Sequence, residues 1–400
     1  MSHAENASPE INAERALELV LRLMAIPGKS GEERSVADEV RRLLLAARVD
    51  PAWITEDDAH HRTPIAGNCG NLILKLPGTV DAPRRMFVAH LDTVPLCVGS
   101  QPVLQDGLIV SGDPNTALGA DDRAGVAVLL NTVLEILERG LPHPPLTFLW
   151  PVQEEVGLQG ARCVDTSLLG DPQLTFNWDG GLPNKVTIGA TGGWRGEVTI
   201  EGLAAHAGGA PEWGVSAIVI ASLAIANLHR NGWHGLVTKD GQRGTSNVGV
   251  IQGGSATNVV ADRVAVRVEA RSHNPAFRQK IVEQIEQAFY DAVRDVKNVA
   301  GASGRVEITG RVDYEAFRLS DDEPCVAEVE RVLRSLGREP ERVIANGGLD
   351  ANWLTAHGIP TVTLGCGQLR QHMTSEALDV NEFLLACRVA LDLAIACTTN

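Results

Sequence analysis

Four short apolar runs, each strand-like and each ending in a residue able to bind a metal, constrain this chain most. MFVAHLDTVP delivers His90, LTFLWPVQEEVG delivers Glu154 and Glu155, LTFNWDGG delivers Asp179, and TVTLGCGQLRQHM delivers His372. A fifth segment, LGADDRAG, puts Asp121 and Asp122 at the start of a helical pattern. Open α/β sheets bind ligands outside the carboxyl ends of their strands, so the five segments can converge on one crevice. Two histidines and several carboxylates there form a mixed nitrogen and oxygen set suited to zinc, with cobalt or manganese as alternatives. The expectation is a two-metal hydrolase.

The pattern between these runs supports an α/β chain. Leu17, Val20, Leu21 and Met24 fall at helical spacing ahead of Pro27-Gly28, and Ser30 with Glu33 predicts a capping box opening a second helix. Strand patterns follow at 71–76 and 86–90, then a helix over 123–138 for which Asp122 is the candidate cap. Strands alternating with helices predict a mainly parallel sheet covered on both faces. Near residue 191 the texture changes. TGGWRGEVTIEGL alternates after a glycine pair, 214–230 is helical, 246–252 and 263–271 are strand patterns, and a long amphipathic helix covers about 275–296. None of the clustered acidic ligands falls in this block. Four hundred residues exceed one ordinary core, so two domains are expected: a discontinuous one of residues 1–191 and 306–400, and an inserted one of 192–305.

Charge and cysteine usage narrow the function classes. Asp plus Glu number 50 against 35 Lys plus Arg, a net charge of −15, which disfavours nucleic acid and anionic membranes as partners. Seven scattered cysteines with no C-x-x-C fit a reduced compartment better than a disulfide framework. The amino-terminal residues lack the basic and apolar regions of a signal peptide, and no apolar run approaches the roughly 20 residues of a membrane span. A cytoplasmic protein is expected.

Each candidate residue also has a plainer reading. In an extended segment residues two apart face one side, so Asp92 can orient His90, or can be an unrelated solvent carboxylate. Asp121 can bridge two metals while Asp122 caps the helix, or both can serve the cap. Adjacent glutamates are common on surfaces but less so directly after an apolar strand. Metal-centred hydrolysis needs one carboxylate as ligand and one free to move a proton, tasks that Glu154 and Glu155 can divide. Asp179 before two glycines and His372 in a loop are weak alone.

Taken together, HLDTVP, LGADDRAG, EEVGLQGA and WDGG resemble the co-catalytic metallopeptidase family of peptidase T, the bacterial glutamate carboxypeptidases and the aminoacylases, with the peptidase T-like branch nearest in texture. The likeness runs from about residue 12 to 395. It implies a zinc-exopeptidase-like catalytic domain with an inserted α+β lid and dimerisation domain. It implies that His90 and Asp179 hold one metal, Glu155 and His372 the other, and Asp121 bridges them. Glu154 would then be the general base and Asp92 the partner of His90. GLAAHAGGAPEWGVSAI resembles the lid segment whose histidine reaches a site, often that of a partner subunit, which points to His206. Asn258 and Arg271 match lid positions that hold substrate carboxylate or carbonyl groups, and Gly347 and Gly348 match a loop at the substrate cleft. Leu349 departs from the small hydroxyl residue usual there.

The implied activity is a two-metal exopeptidase on short peptides, an aminotripeptidase first. A carboxypeptidase or N-acyl-amino-acid amidohydrolase would use the same centre, and a silent metal- or peptide-binding protein is the remaining alternative. The expected partners are a small peptide or acyl-amino-acid substrate and a second copy of the chain through the lid.

Overall fold

A computed structural model describes residues 10–395, which form two compact units. The first comprises residues up to Gly189, Arg318–Ala345, and Leu349 onward; the second comprises Ala190–Phe317 with Asn346–Gly348.

A nine-stranded mixed sheet runs through the first unit. Its centre is parallel, in the order Leu146–Trp150, Arg85–Val88, Leu174–Trp178, Thr361–Leu364, with antiparallel strands Leu72–Leu76 and Lys185–Ala190 on the two sides. The four central strands are buried along their whole length, which is why they read as continuous apolar runs rather than alternating ones. Alternate residues nevertheless part to opposite faces. Phe87 stacks between Phe148 and Phe176 at centroid distances of 5.3 and 5.5 Å. Met86, Val88 and Leu149 join Ile73, Ala161 and Leu354 in a separate apolar cluster. Helix Ala120–Arg139 is buried over most of its length, and Ala13–Met24 and Val380–Ile395 pack against it. This is a mixed α/β fold with helices flanking the sheet.

One local expectation fails. Glu33 precedes helix Arg34–Ala46 but makes no side-chain cap. Its Oε1 accepts the N–H groups of Gly31 and Gln153 at 2.8 and 3.0 Å, while Ser30 donates to Asp92 at 2.6 Å. A buried carboxylate takes the Ser30 hydroxyl, and buried backbone donors outside the helix take the Glu33 oxygen.

The second unit has a five-stranded antiparallel sheet in the order Gly235–Lys239, Gln242–Gly253, Arg263–Ser272, Gly192–Glu201, Arg305–Tyr314. Helices Ala217–Arg230 and Pro275–Asp295 pack together on it around Val198, Ile200, Val266, Ile220, Ile281 and Phe289. Trp194 lies across Gly196 and Gly310, which face each other in the register. A Cβ on either would fall 2.2 or 2.1 Å from the indole, so both positions exclude a side chain. Among the described residues no helix is long and apolar enough to cross a membrane. Six cysteines, Cys69, Cys97, Cys163, Cys325, Cys366 and Cys387, are free thiols; Cys397 lies outside the described residues.

Candidate metal centre

All five ligand candidates belong to the first unit. His90 follows strand Arg85–Val88 by two residues and is 2% exposed. Its backbone N–H donates to Asp122 Oδ2 at 3.1 Å. Its Nδ1 lies 3.1 Å from the carbonyl oxygen of Asp92 and 3.4 Å from Asp92 Oδ1, so Nε2 is the free edge. That edge stands 3.3 Å from Asp121 Oδ1 and 3.9 Å from Glu154 Oε2.

Asp92 is fully buried and holds backbone as well as the imidazole of His90. Oδ1 accepts the N–H of Glu154 at 2.9 Å, and Oδ2 accepts the N–H of Glu155 at 3.1 Å and the hydroxyl of Ser30. Burial opposes its ionisation, but bonding and charge from His90 outweigh that and hold the carboxyl below its usual range.

Asp121 is freed from its helix. Gly119 takes a left-handed φ of 79°, and Asp121 and Asp122 have non-helical backbone with a cis peptide between them. Regular helix starts beyond, where Asp122 Oδ1 accepts the N–H of Gly125 at 3.1 Å as an N-cap does. The Asp121 carboxylate points between two imidazoles. Oδ1 lies 3.3 Å from His90 Nε2, and Oδ2 lies 3.3 Å from His372 Nε2. His372, half-exposed with a φ of 62°, also lies 3.0 Å from Glu155 Oε2.

Ligand atoms of His90, Asp121 and Glu155 lie within 4.8 Å of one another. Asp121 Oδ1 is buried and faces His90 Nε2 at 3.3 Å without a well-formed hydrogen bond, as a carboxylate oxygen and an imidazole nitrogen that share a cation would. The donor set and this contact fit divalent metal. Asp179 ends strand Leu174–Trp178, with its N–H on Leu364 O at 2.9 Å. It stands outside that three-residue group but close enough for Asp121 to act on it. Burial first, then the Asp121 charge, push Asp179 up to about 8. Burial likewise raises Glu154 well above the carboxylate range and raises Glu155. Bonds to Asp121 and Glu155 lift His372 to about 10.

Several further polar side chains surround this centre that had no place in the ligand set expected from the sequence. Gln368 Nε2 donates to Ala120 O at 3.0 Å and Asp122 Oδ1 at 2.9 Å, while its Oε1 accepts the N–H of Gly180. Both oxygens of buried Asp350 lack a hydrogen-bond partner among the described residues, and burial raises it to about 7. Glu33 is raised to about 7, by burial and then by Asp92. The available signal was modest: polar residues inside apolar surroundings, next to a ligand segment.

The remaining candidates lie in the second unit. His206 is exposed, and its Nδ1 accepts the N–H groups of Gly208 and Gly209 at 3.1 and 2.9 Å, which leaves the proton on Nε2 in the neutral ring. Asn258 is exposed beside it, its carbonyl accepting the N–H of Ala207. Half-buried Arg271 pairs with Glu269 at 3.0 Å and lines a cavity of about 190 Å³ with Arg243, His273 and Asn346. A Cβ on Gly348 would meet the Tyr314 ring at 2.5 Å, whereas Gly347 borders open space. Leu349, in the first unit, stands at the N-cap of Asp350–Ala356 without a hydroxyl to offer; its own N–H donates to Asn352 Oδ1 at 2.9 Å.

The sequence matches two families, a peptidase dimerisation domain of the M20 type over residues 188–297 and peptidase family M28 over residues 71–209. An uncharacterized protein of Bacillus subtilis, YqjE, is 32% identical over 94% of this chain and 96% of its own length. A tripeptidase of Staphylococcus aureus superposes with a TM-score of 0.84 at 32% identity, covering 97% of this chain and 99% of the other. The aminopeptidase PepT of Bacillus cereus gives 0.80 at 32% identity, covering 96% and 98%.

Proposed function

The chain belongs to the M20 family of metal-dependent peptidases, on its peptidase T-like branch, and from that premise we propose an aminopeptidase that removes the first residue of tripeptides. The observation that carries the reading is Asp121, whose two oxygens face His90 and His372 at 3.3 Å each. Its likeness to a tripeptidase and to an aminopeptidase PepT supports the choice of substrate.

In this reading His90 and Asp179 would hold one divalent ion and Glu155 and His372 the other, with Asp121 shared. Zinc is the first choice, since two imidazoles join the carboxylates, and cobalt or manganese suit the same set. Such a pair supplies an acidified water and polarises the scissile carbonyl. Glu154 accepts the proton of the attacking water and returns it to the leaving amine. Its burial and the neighbouring acidic charges raise its hold on a proton above that of an ordinary carboxylate. Asp92 fixes the imidazole of His90 and the backbone of both glutamates.

The second unit, Ala190–Phe317 with Asn346–Gly348, is read as the lid expected over 192–305. His206 would offer its Nε2–H to the developing oxyanion, and Asn258, Arg271, Gly347 and Gly348 would border substrate. The match to a dimerisation domain supports a homodimer through this unit, in which His206 serves the partner's site. Free thiols and an acidic surface support a cytoplasmic location.

Glu154→Gln tests the assignment. Retained metal content with kcat reduced by roughly 10²–10⁴-fold is the expected result; unchanged hydrolysis sinks it. N-blocked tripeptides should resist cleavage, whereas equal cleavage of blocked and free tripeptides identifies an acyl-amino-acid hydrolase instead.

A further inference from the structure

Glu376 lies outside every role assigned so far, and its geometry ties the two halves of the metal centre together. His372 sits in a hairpin formed by Gln368–Leu369 and Ala377–Asp379, which pair antiparallel. The second of these strands is in turn paired with Leu108–Ser111. The hairpin's turn is closed by the Glu376 N–H on Met373 O at 2.9 Å and by Arg370 Nε on Ser375 O at 2.7 Å. From the base of this hairpin two side chains reach the backbone that carries Asp121. Gln368 donates to the carbonyl of Ala120, and Glu376 accepts the N–H of Asp121 at 3.0 Å on Oε1 and the N–H of Gly119 at 2.9 Å on Oε2.

These two N–H groups are donors that the helix cannot satisfy. The first N–H groups of a helix have no intrahelical acceptor, and here the backbone at Asp121 and Asp122 is not helical at all. The contact is buried, with Glu376 2% exposed, so water cannot replace it. Cys97 Sγ, 3.9 Å from Oε2, is the one other side chain on the carboxylate among the described residues.

We propose that Glu376 is the positioning residue that sets Asp121 against His372, holding the shared carboxylate beside the hairpin histidine so that both would be in place for metal. Because it takes hold of backbone N–H groups, it fixes the base of the Asp121 side chain without occupying either carboxylate oxygen. Gln368 secures the same stretch through a carbonyl, so donors and acceptors of residues 119–121 are both tied to the hairpin that bears His372. The proposal rests on the metal reading of these ligands.

Glu376→Gln is the test, since an amide keeps one acceptor oxygen and turns an N–H₂ toward the other backbone N–H. Zn²⁺ binding is measured by competition with a chromophoric chelator, and backbone amide exchange over residues 117–122 is measured in the metal-free protein. The wild type should bind two equivalents. The folded variant should bind at least one of them about 10–100-fold more weakly, the size of effect seen for outer ligands of metal sites. Its amides in that segment should exchange faster without metal present, and tripeptide hydrolysis should recover as Zn²⁺ is raised. A folded variant with wild-type affinity for both equivalents overturns the proposal, whatever its thermal midpoint. If Glu376→Gln does not fold, Glu376→Asp, which keeps both oxygens but withdraws them by a methylene, carries the same expectation and the same refutation. A wild type that binds no Zn²⁺ would refute the metal reading itself, and the positioning role with it.

Discussion

Both carboxylate oxygens of Asp92 are engaged, against His90, Ser30 and the backbone of Glu154 and Glu155, and that crowding makes its replacement informative. In Asp92→Asn one acceptor becomes a donor, so an N–H₂ group must face a backbone N–H or abandon the imidazole. Metal affinity should fall by about 10–100-fold, and kcat at saturating metal should fall too, because Glu154 is carried on the displaced backbone. Wild-type affinity and wild-type kcat together would show that His90 is oriented by something else. At this scale the sequence was partly legible. His90 and Asp92 could be read as a pair because residues two apart in an extended segment share a side. Ser30 and Glu33 were misread, because a capping box has the same local spelling as a serine that donates to the Asp92 carboxylate and a glutamate that accepts from Gly31 and Gln153. Asp350 and Glu376 carried no local pattern: what distinguishes them is burial near residues more than two hundred positions away, His90 and Asp92 for the one and Asp121 for the other.

The central strands and the long helices were legible as elements, since burial on both faces leaves an unbroken apolar run and a buried helix stripe keeps its period. Cross-strand register was not. Nothing local in the sequence links Gly196 to Gly310, yet the antiparallel pairing of Gly192–Glu201 with Arg305–Tyr314 sets them side by side under Trp194. Gly310→Ala drives a methyl group into the indole, where neither the backbone nor a ring packed in the sheet can yield cheaply. A loss of roughly 1–3 kcal/mol is expected, typical of overpacking, read as a lowered denaturant midpoint with an unchanged slope. A midpoint equal to wild type would mean that Trp194 can move aside. The start of the helix after Asp122 was legible, since the apolar period opens at 123 and Asp122 caps it. The tertiary bonds at that start were not: the His90 N–H on Asp122 and the Asp121 N–H on Glu376 join residues far apart in the chain.

At the scale of the whole molecule, an acidic chain that gathers buried carboxylates must respond to pH in a defined direction. Asp179 is raised to about 8, Asp350 and Glu33 to about 7, all by burial first, and His372 to about 10 by Asp121 and Glu155. Each of these groups holds its proton more tightly in the folded metal-free protein than in the unfolded chain. Its contribution to stability is therefore fully present below its ordinary pKa and is lost as pH rises through the raised value. Asp121 and Asp92, shifted downward, act only at lower pH, where they lose stability on acidification. Between about pH 6 and pH 9 the raised groups dominate, so the metal-free protein should become less stable as pH rises. Metal changes the sign of the demand, because ligands must be deprotonated to bind it and binding releases protons. The gap between the thermal midpoints of metal-loaded and chelator-treated protein should consequently widen with pH across that interval. A gap that narrows, or a metal-free midpoint that climbs with pH, would show that the buried carboxylates are already ionised and paired in the absence of metal.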